Sequence, residues 1–349
     1  MSYSPKMKQL IRPNILKMEA YQSARDTFDS ADENVVLLDA NENPNDSGYN
    51  RYPDPYQKRL RDRLATKYSL APDRLMLGNG SDEILDLLIR AICEPGLDQC
   101  LVLPPTYGMY RVLSDLNNVE MLEVPLDVEF QPIPDDILKS AKATTKILFL
   151  CSPNNPTGNL LATDRVEYLL RNFNGLVVID EAYIDFANRP SWVMRLEEFE
   201  NLVVIQTLSK AYGMAGLRLG ICYGQPWLIS LLQKIKAPYN INSATQQLAL
   251  QRLNTPETIK AEVDELITQR ERLATALEEI AWVRSVYPSQ ANFLLVGVDD
   301  ASLRYKQALG SGFVLRNRDG LPGCDQCIRI SIGTPSENDL LIEQLKQLK

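Results

Sequence analysis

Asn201-Leu-Val-Val-Ile-Gln-Thr-Leu-Ser-Lys-Ala-Tyr-Gly-Met-Ala-Gly-Leu-Arg-Leu-Gly220 is the stretch on which the reading of this chain turns. Leu202 to Ile205 form a short apolar run of the kind a buried strand uses, and the run ends in small polar residues and one lysine, Lys210. Such a strand delivers its charge to the mouth of a sheet. Arg218 follows between Gly216 and Gly220, so a second cation can be approached closely with little bulk around it. That arrangement suits an anion. A Ser-Lys pair by itself is a common accident, with the lysine ending a strand in solvent. The surrounding chain removes that reading.

Working outward, strand-like runs alternate with helix-like ones. Leu75-Met-Leu breaks into Gly78-Asn-Gly80-Ser81-Asp82, and an apolar-periodic helix follows through Ile84, Leu87, Leu88 and Ala91. Ser81 or Asp82 is expected to cap that helix, whose free N–H groups face the glycine turn and can hold phosphate. The turn is not the dinucleotide fingerprint, because Glu83 stands where its last glycine belongs. Cys100-Leu-Val-Leu103 leads to Pro104-Pro-Thr-Tyr107-Gly, and a helix is expected near 109–117. Lys146 to Cys151 leads to Ser-Pro-Asn-Asn155-Pro-Thr-Gly158. A helix near 163–172 precedes Leu176-Val-Val-Ile-Asp180-Glu-Ala-Tyr183. This βαβ rhythm predicts an α/β fold with a mainly parallel central sheet flanked by helices. Tyr107, Asn155, Asp180, Tyr183, Ser209 and Lys210 then fall just beyond strand C-termini, where open α/β sheets take their ligands.

Beyond residue 245 the pattern changes. Thr255-Pro256 begins a long helix, strand-like segments appear at 292–296, 313–315 and 327–332, and Thr334-Pro-Ser-Glu337 is a capping box opening a last helix. The division expected is an N-terminal arm (1–48) associated with the small domain, a large cofactor-binding domain (49–245) and a small α+β domain (246–349).

The chain has 349 residues, 45% hydrophobic and 23% charged, enough for about two domains with a substantial core. A net charge of −8 argues against nucleic acid or an anionic membrane as partner. No apolar run approaches the roughly 20 residues a spanning helix needs, and Met1 to Lys8 lack the apolar core of a signal peptide, so a cytoplasmic location is expected. Cys324 and Cys327 form a C-x-x-C without a second pair or a histidine to complete a metal site, which leaves a redox turn as the minor alternative. No metal is expected. Histidine is absent altogether, which excludes Ser-His-Asp and Cys-His catalysis and any imidazole base.

A lysine amine, an aspartate at a strand end and a phosphate-binding turn together point to pyridoxal 5'-phosphate. Lys210 would form the Schiff base, and Asp180 would keep the ring nitrogen protonated. Gly80, Ser81, Asp82, Ser209 and Arg218 would hold the phosphate. Asn155 and Tyr183 would donate to the phenolic oxygen, and Tyr107 would stack on the ring.

Taken together, Asn41-Glu-Asn-Pro44, Arg51-Tyr-Pro53, Pro104-Pro-Thr-Tyr-Gly108, Ser152-Pro-Asn-Asn-Pro-Thr-Gly158, Asp180-Glu-Ala-Tyr183, Thr207-Leu-Ser-Lys210 and Ala215-Gly-Leu-Arg218 resemble the fold-type I aminotransferases. Tyr21-Gln-Ser-Ala-Arg25 and Asn41-Glu-Asn-Pro44 narrow the resemblance to the histidinol-phosphate aminotransferase family. It implies a fold-type I pyridoxal-phosphate-dependent transferase acting on histidinol phosphate with 2-oxoglutarate, and on imidazole acetol phosphate with glutamate. It further implies a homodimer in which Tyr52 reaches the partner's cofactor phosphate, Arg329 grips the substrate's anionic end, Arg316 assists it, and Tyr21 helps close the pocket. A threonine-phosphate decarboxylase or an aromatic-amino-acid aminotransferase would keep nearly the same cofactor residues. A nicotinamide oxidoreductase would not, lacking the glycine fingerprint.

Overall fold

The computed structural model describes residues 4–21 and 36–348. The central sheet is built from β1 (Leu75–Asn79), β2 (Gln99–Val102), β3 (Glu120–Glu123), β4 (Thr145–Cys151), β5 (Leu176–Asp180), β6 (Leu202–Thr207) and β7 (Leu219–Tyr223), in the order β1-β7-β6-β5-β4-β2-β3. β2 to β6 pair in parallel, and β7 runs antiparallel to both β6 and β1. Helices cover both faces of the sheet, so β5 and β6 are buried along their whole length. That is why they read as unbroken apolar runs with no alternation. The register aligns Cys151 with Asp180 and Asp180 with Ile205, which brings the C-terminal ends of β4, β5 and β6 to one level.

β7 was not anticipated. It turns the chain back immediately after the Lys210 loop, setting Gly220 opposite Gly78 on one side and Thr207 on the other. The short β3 and the helix Pro134–Ser140 were also missed, each having too few apolar residues to show a period.

The smaller sheet is antiparallel, ordered β10-β11-β9-β8 from β8 (Val283–Val286), β9 (Phe293–Val298), β10 (Arg316–Asn317) and β11 (Cys327–Ser331). The strand expected at 313–315 is not formed; Phe313 and Leu315 pack onto the small-domain core, and pairing begins only at Arg316. The Thr334–Glu337 capping box does form and opens the helix Pro335–Gln347.

Two boundaries differ from the sequence reading. Ala249 and Leu253 of the helix Ser243–Leu253 belong to the large core, and the helix Pro256–Glu278 places Val263 in that core but Leu273 and Leu277 in the small one. The two packing clusters therefore meet along one helix, where no composition change marks the passage from one to the other. The beginning of the arm also docks elsewhere. Met7, Leu10 and Ile11 are buried with Leu88, Ala91 and Trp227 of the large domain. The Arg12 N–H donates to the Ala91 carbonyl at 3.0 Å, and the Lys234 amine donates to the Ile15 carbonyl at 2.8 Å. Small apolar clusters on the helices Pro5–Lys8 and Pro13–Lys17 cover the outer face of Ser81–Ile92, so the arm's start is not associated with the small domain.

Ile11→Ala should therefore lower stability by about 2–5 kcal/mol, as for other large-to-small changes in a packed core. Urea unfolding followed by tryptophan fluorescence measures this, and an unchanged midpoint would mean that the arm contributes nothing to the large domain.

Candidate active site

One pocket opens at the C-terminal ends of β4, β5 and β6, and Lys210, Asp180, Tyr183 and Asn155 all line it. Lys210 projects into the open side of the pocket, its amine 5.6 Å from the centroid of the Tyr183 ring. Partial desolvation by the walls, followed by the charge of Arg329, lowers its pKa against the opposing pull of Asp180. A larger share of the amine is then neutral and nucleophilic.

Asp180 is 3% exposed. Burial raises its carboxyl pKa to about 6, while the Tyr110 hydroxyl, donating at 2.9 Å, and the Ala182 N–H, at 3.1 Å, favour the ionised form. Tyr110 was not singled out in the sequence. It sits at the second position of the helix Met109–Leu116, where it reads only as an apolar-face residue. Its ring stacks on Phe149 at 4.9 Å and meets Tyr107 edge-on at 5.5 Å, which fixes the hydroxyl on Asp180.

The other end of the pocket is arranged for an anion. The helix Ser81–Ile92 begins after Gly80, at φ +79°, with no side chain capping it. Ser81 and Asp82 are its first residues and not its caps, so the leading N–H groups stay free to bind a ligand. Asp82 instead accepts from Tyr107 at 3.1 Å and lies 3.6 Å from Arg218. Arg218 closes over the turn, where a Cβ on Gly80 would lie 2.6 Å from its guanidinium. Thr207, which also lines the pocket, donates to the Ser209 hydroxyl at 2.9 Å and orients it. Close approach here depends on Gly220: a Cβ at that position would stand 2.5 Å from both the Gly80 carbonyl carbon and the Ser81 nitrogen.

On the side of the smaller sheet, a guanidinium nitrogen of Arg329 on β11 donates to Asn155 Oδ1, linking the two sheets beside the pocket. Arg329 also lies over the Phe293 ring at 5.1 Å, and Phe293 meets Tyr183 edge-on at the same distance. Arg316 is directly opposite Arg329 on β10 but is exposed. Among the expected residues, Gly80, Arg316 and Arg329 lie beside the lining of this pocket, and Tyr21 and Tyr52 are apart from it. Tyr21 is 71% exposed, and Gln22 to Arg25 of its motif lie outside the described residues. Tyr52 is 50% exposed, stacks on Tyr239 at 4.4 Å and lines a separate groove with Asn242 and Ser243. Cys324 and Cys327 are buried beside Phe130 and Leu295, which makes them core thiols.

A lysine facing a buried carboxylate at the ends of two adjacent parallel strands, with an anion cradle at one side, is the site of an aminotransferase. The family model for aminotransferase class I and II matches residues 21–345, and the chain belongs to that family. Its relatives include a histidinol-phosphate aminotransferase of Christiangramia forsetii, 51% identical over 98% of each chain. Another, of Flavobacterium johnsoniae, is 52% identical over 97% of each. The crystal structure of histidinol-phosphate aminotransferase from Sinorhizobium meliloti in complex with pyridoxal-5'-phosphate has the same fold, with a TM-score of 0.77 at 24% identity over 85% of this chain and 82% of that one.

The residues present fit pyridoxal phosphate. Among the described residues the buried Asp180 carboxylate accepts hydrogen bonds from neutral donors alone, and a protonated ring nitrogen would supply a charged one. Uncapped helix N–H groups, Ser209 and Arg218 suit a phosphate.

Mass spectrometry of borohydride-treated holoenzyme should find the cofactor adduct on Lys210. The alternatives Lys234 and Lys236 spend their amines on the Ile15 and Pro55 carbonyls, so an adduct on either would overturn the site. Gly220→Ala should cost about 1–3 kcal/mol from overpacking against backbone that cannot yield. It should also weaken cofactor binding in an absorbance titration, and unchanged affinity would show that the glycine contact does not shape the phosphate cradle.

Proposed function

We propose that this enzyme transfers the amino group of histidinol phosphate to 2-oxoglutarate, giving imidazole acetol phosphate and glutamate, and catalyses the reverse. The reading is carried by one observation: Lys210, Asp180 and Asn155 line one pocket, and Arg329 of the smaller sheet donates to that Asn155. Relatives at about half identity over nearly the whole chain share the activity, and the decarboxylase and aromatic-aminotransferase alternatives are not favoured.

Pyridoxal phosphate, when bound, supplies an aldehyde that amines can hold and a ring that draws off the electron pair left when a proton leaves the substrate's Cα. Asp180 keeps the proton on the ring nitrogen. The helix start at Ser81 and Asp82, with Gly80 in the turn, and the side chains of Ser209 and Arg218 hold the phosphate. Asn155 has its oxygen committed to Arg329, which leaves its amide N–H groups, with the Tyr183 hydroxyl, for the phenolic oxygen. Tyr107 covers the ring, its hydroxyl tied down by Asp82. Lys210 would be the base that takes the proton from the substrate's Cα; its lowered pKa suits it to the task, and no histidine exists to compete. Arg329, assisted by Arg316, receives the anionic end of either substrate. Tyr21 closes over it.

The same reading makes the enzyme a cytoplasmic homodimer. Tyr52 serves nothing in its own chain's pocket, and its exposed position suits delivery to a partner's cofactor phosphate. All six thiols are unpaired, as a reducing compartment leaves them. Among the described residues no helix is long and apolar enough to cross a membrane.

The holoenzyme should consume histidinol phosphate only when 2-oxoglutarate is supplied; release of carbon dioxide without an oxo acid would identify a decarboxylase instead. Asp180→Ala should turn over on the order of a hundredfold or more slowly, the scale of breaking a buried charge pair. Near-normal turnover in steady-state assays would remove Asp180 from the site.

A further inference from the structure

Three arginines share one face at the edge of the small sheet. The register sets Arg316 opposite Arg329, and the Arg318 N–H donates to the Cys327 carbonyl at 2.8 Å, carrying the ladder one step past β10. Side chains alternate along a strand, so Arg316 and Arg318 leave the same side, and Arg329, as the cross-strand neighbour of Arg316, leaves it too. Arg316 is exposed, whereas Arg318 and Arg329 are partly buried.

Among the described residues none of the three is ion-paired with a carboxylate, and the Nε atoms of Arg318 and Arg329 are buried without a hydrogen-bond partner. Desolvation, then the charges of Arg329 and Arg316, pull the Arg318 pKa down to about 10. The guanidinium is still charged at neutral pH, so the shift reports an uncompensated positive field. That field reaches the pocket, since the charges of both Arg329 and Arg318 act on the Tyr183 hydroxyl. Partly desolvated like charges with idle donors are costly by themselves and become favourable around an anion.

The two substrates of the enzyme differ in what they bring to this face. Glutamate offers a carboxylate with one charge and two oxygens, which Arg329 and Arg316 can satisfy. A phosphate monoester offers three terminal oxygens and nearly two charges. We propose that Arg318 is the residue that selects the phosphate ester, its guanidinium engaging the terminal oxygen that a carboxylate lacks. This assignment rests on the function proposed above. The exposed Arg316 keeps the assisting part that the family resemblance implies.

The test follows each half-reaction of the holoenzyme separately by single-turnover absorbance, for the wild type, Arg318→Gln and Arg318→Lys. In Arg318→Gln, kcat/KM for histidinol phosphate should fall roughly tenfold to a hundredfold, the loss of one charge-assisted contact, while that for glutamate changes less than about threefold. Arg318→Lys should recover part of the loss. Inorganic phosphate, competing with glutamate, should inhibit Arg318→Gln about tenfold less well than wild type. Equal losses for both substrates, or none for either, would overturn the role of Arg318 while leaving the proposed activity intact. A wild-type enzyme inert to histidinol phosphate but active on another amine would overturn both.

Discussion

The buried carboxylate of Asp180 is the constraint on which the site depends. A parallel sheet covered by helices on both faces is one of the few settings that keeps such a group dry, and β5 delivers it there because every residue of that strand is buried. Burial pushes its carboxyl pKa up, and the neutral donors Tyr110 and the Ala182 N–H hold the rise to about 6, so the group stays ionised at neutral pH. The neighbouring strand β6 ends at Thr207, and the turn that follows it carries Lys210 into the same pocket. Paired strands thus bring the two segments to one level, and the turn sets the lysine's final position.

A second buried acid, Glu181, faces the other way. It accepts from Ser191, from the Trp192 N–H at 2.8 Å and from Gln206 at 2.9 Å, and burial raises its pKa to about 7. The consecutive pair Asp180-Glu181 therefore divides its labour. One carboxylate looks into the pocket, and the other ties the end of β5 to β6 and to the segment around Ser191.

Much of this could be read from the chain because the active-site residues follow strong strands. β4, β5 and β6 are apolar runs with sharp polar ends, so Asn155, Asp180 and Lys210 announced their own positions. Residues whose role depends on helix register or on contacts distant in sequence gave no such signal. Tyr110 reaches Asp180 across 70 positions, and Arg318 matters only because β10 and β11 are paired. The docking of Met7 to Ile11 was illegible for the same reason: a few apolar residues in a short helix carry no address. β7 was hidden because Gly220 is there for close packing, and a glycine in a short run weakens a strand pattern.

The helix Pro256–Glu278 has a consequence for motion. Its 23 residues make a rod of about 34 Å with one end set in the large core and the other in the small one. A rod anchored in this way acts as a lever. A tilt of about 5° at Val263 displaces the far end, about 22 Å away, by roughly 2 Å. The Arg329–Asn155 contact joins β11 of the smaller sheet to the loop after β4 beside the pocket. An anion that takes up the Arg329 guanidinium competes with Asn155 for it, so a ligand arriving there acts directly on a contact between the two sheets.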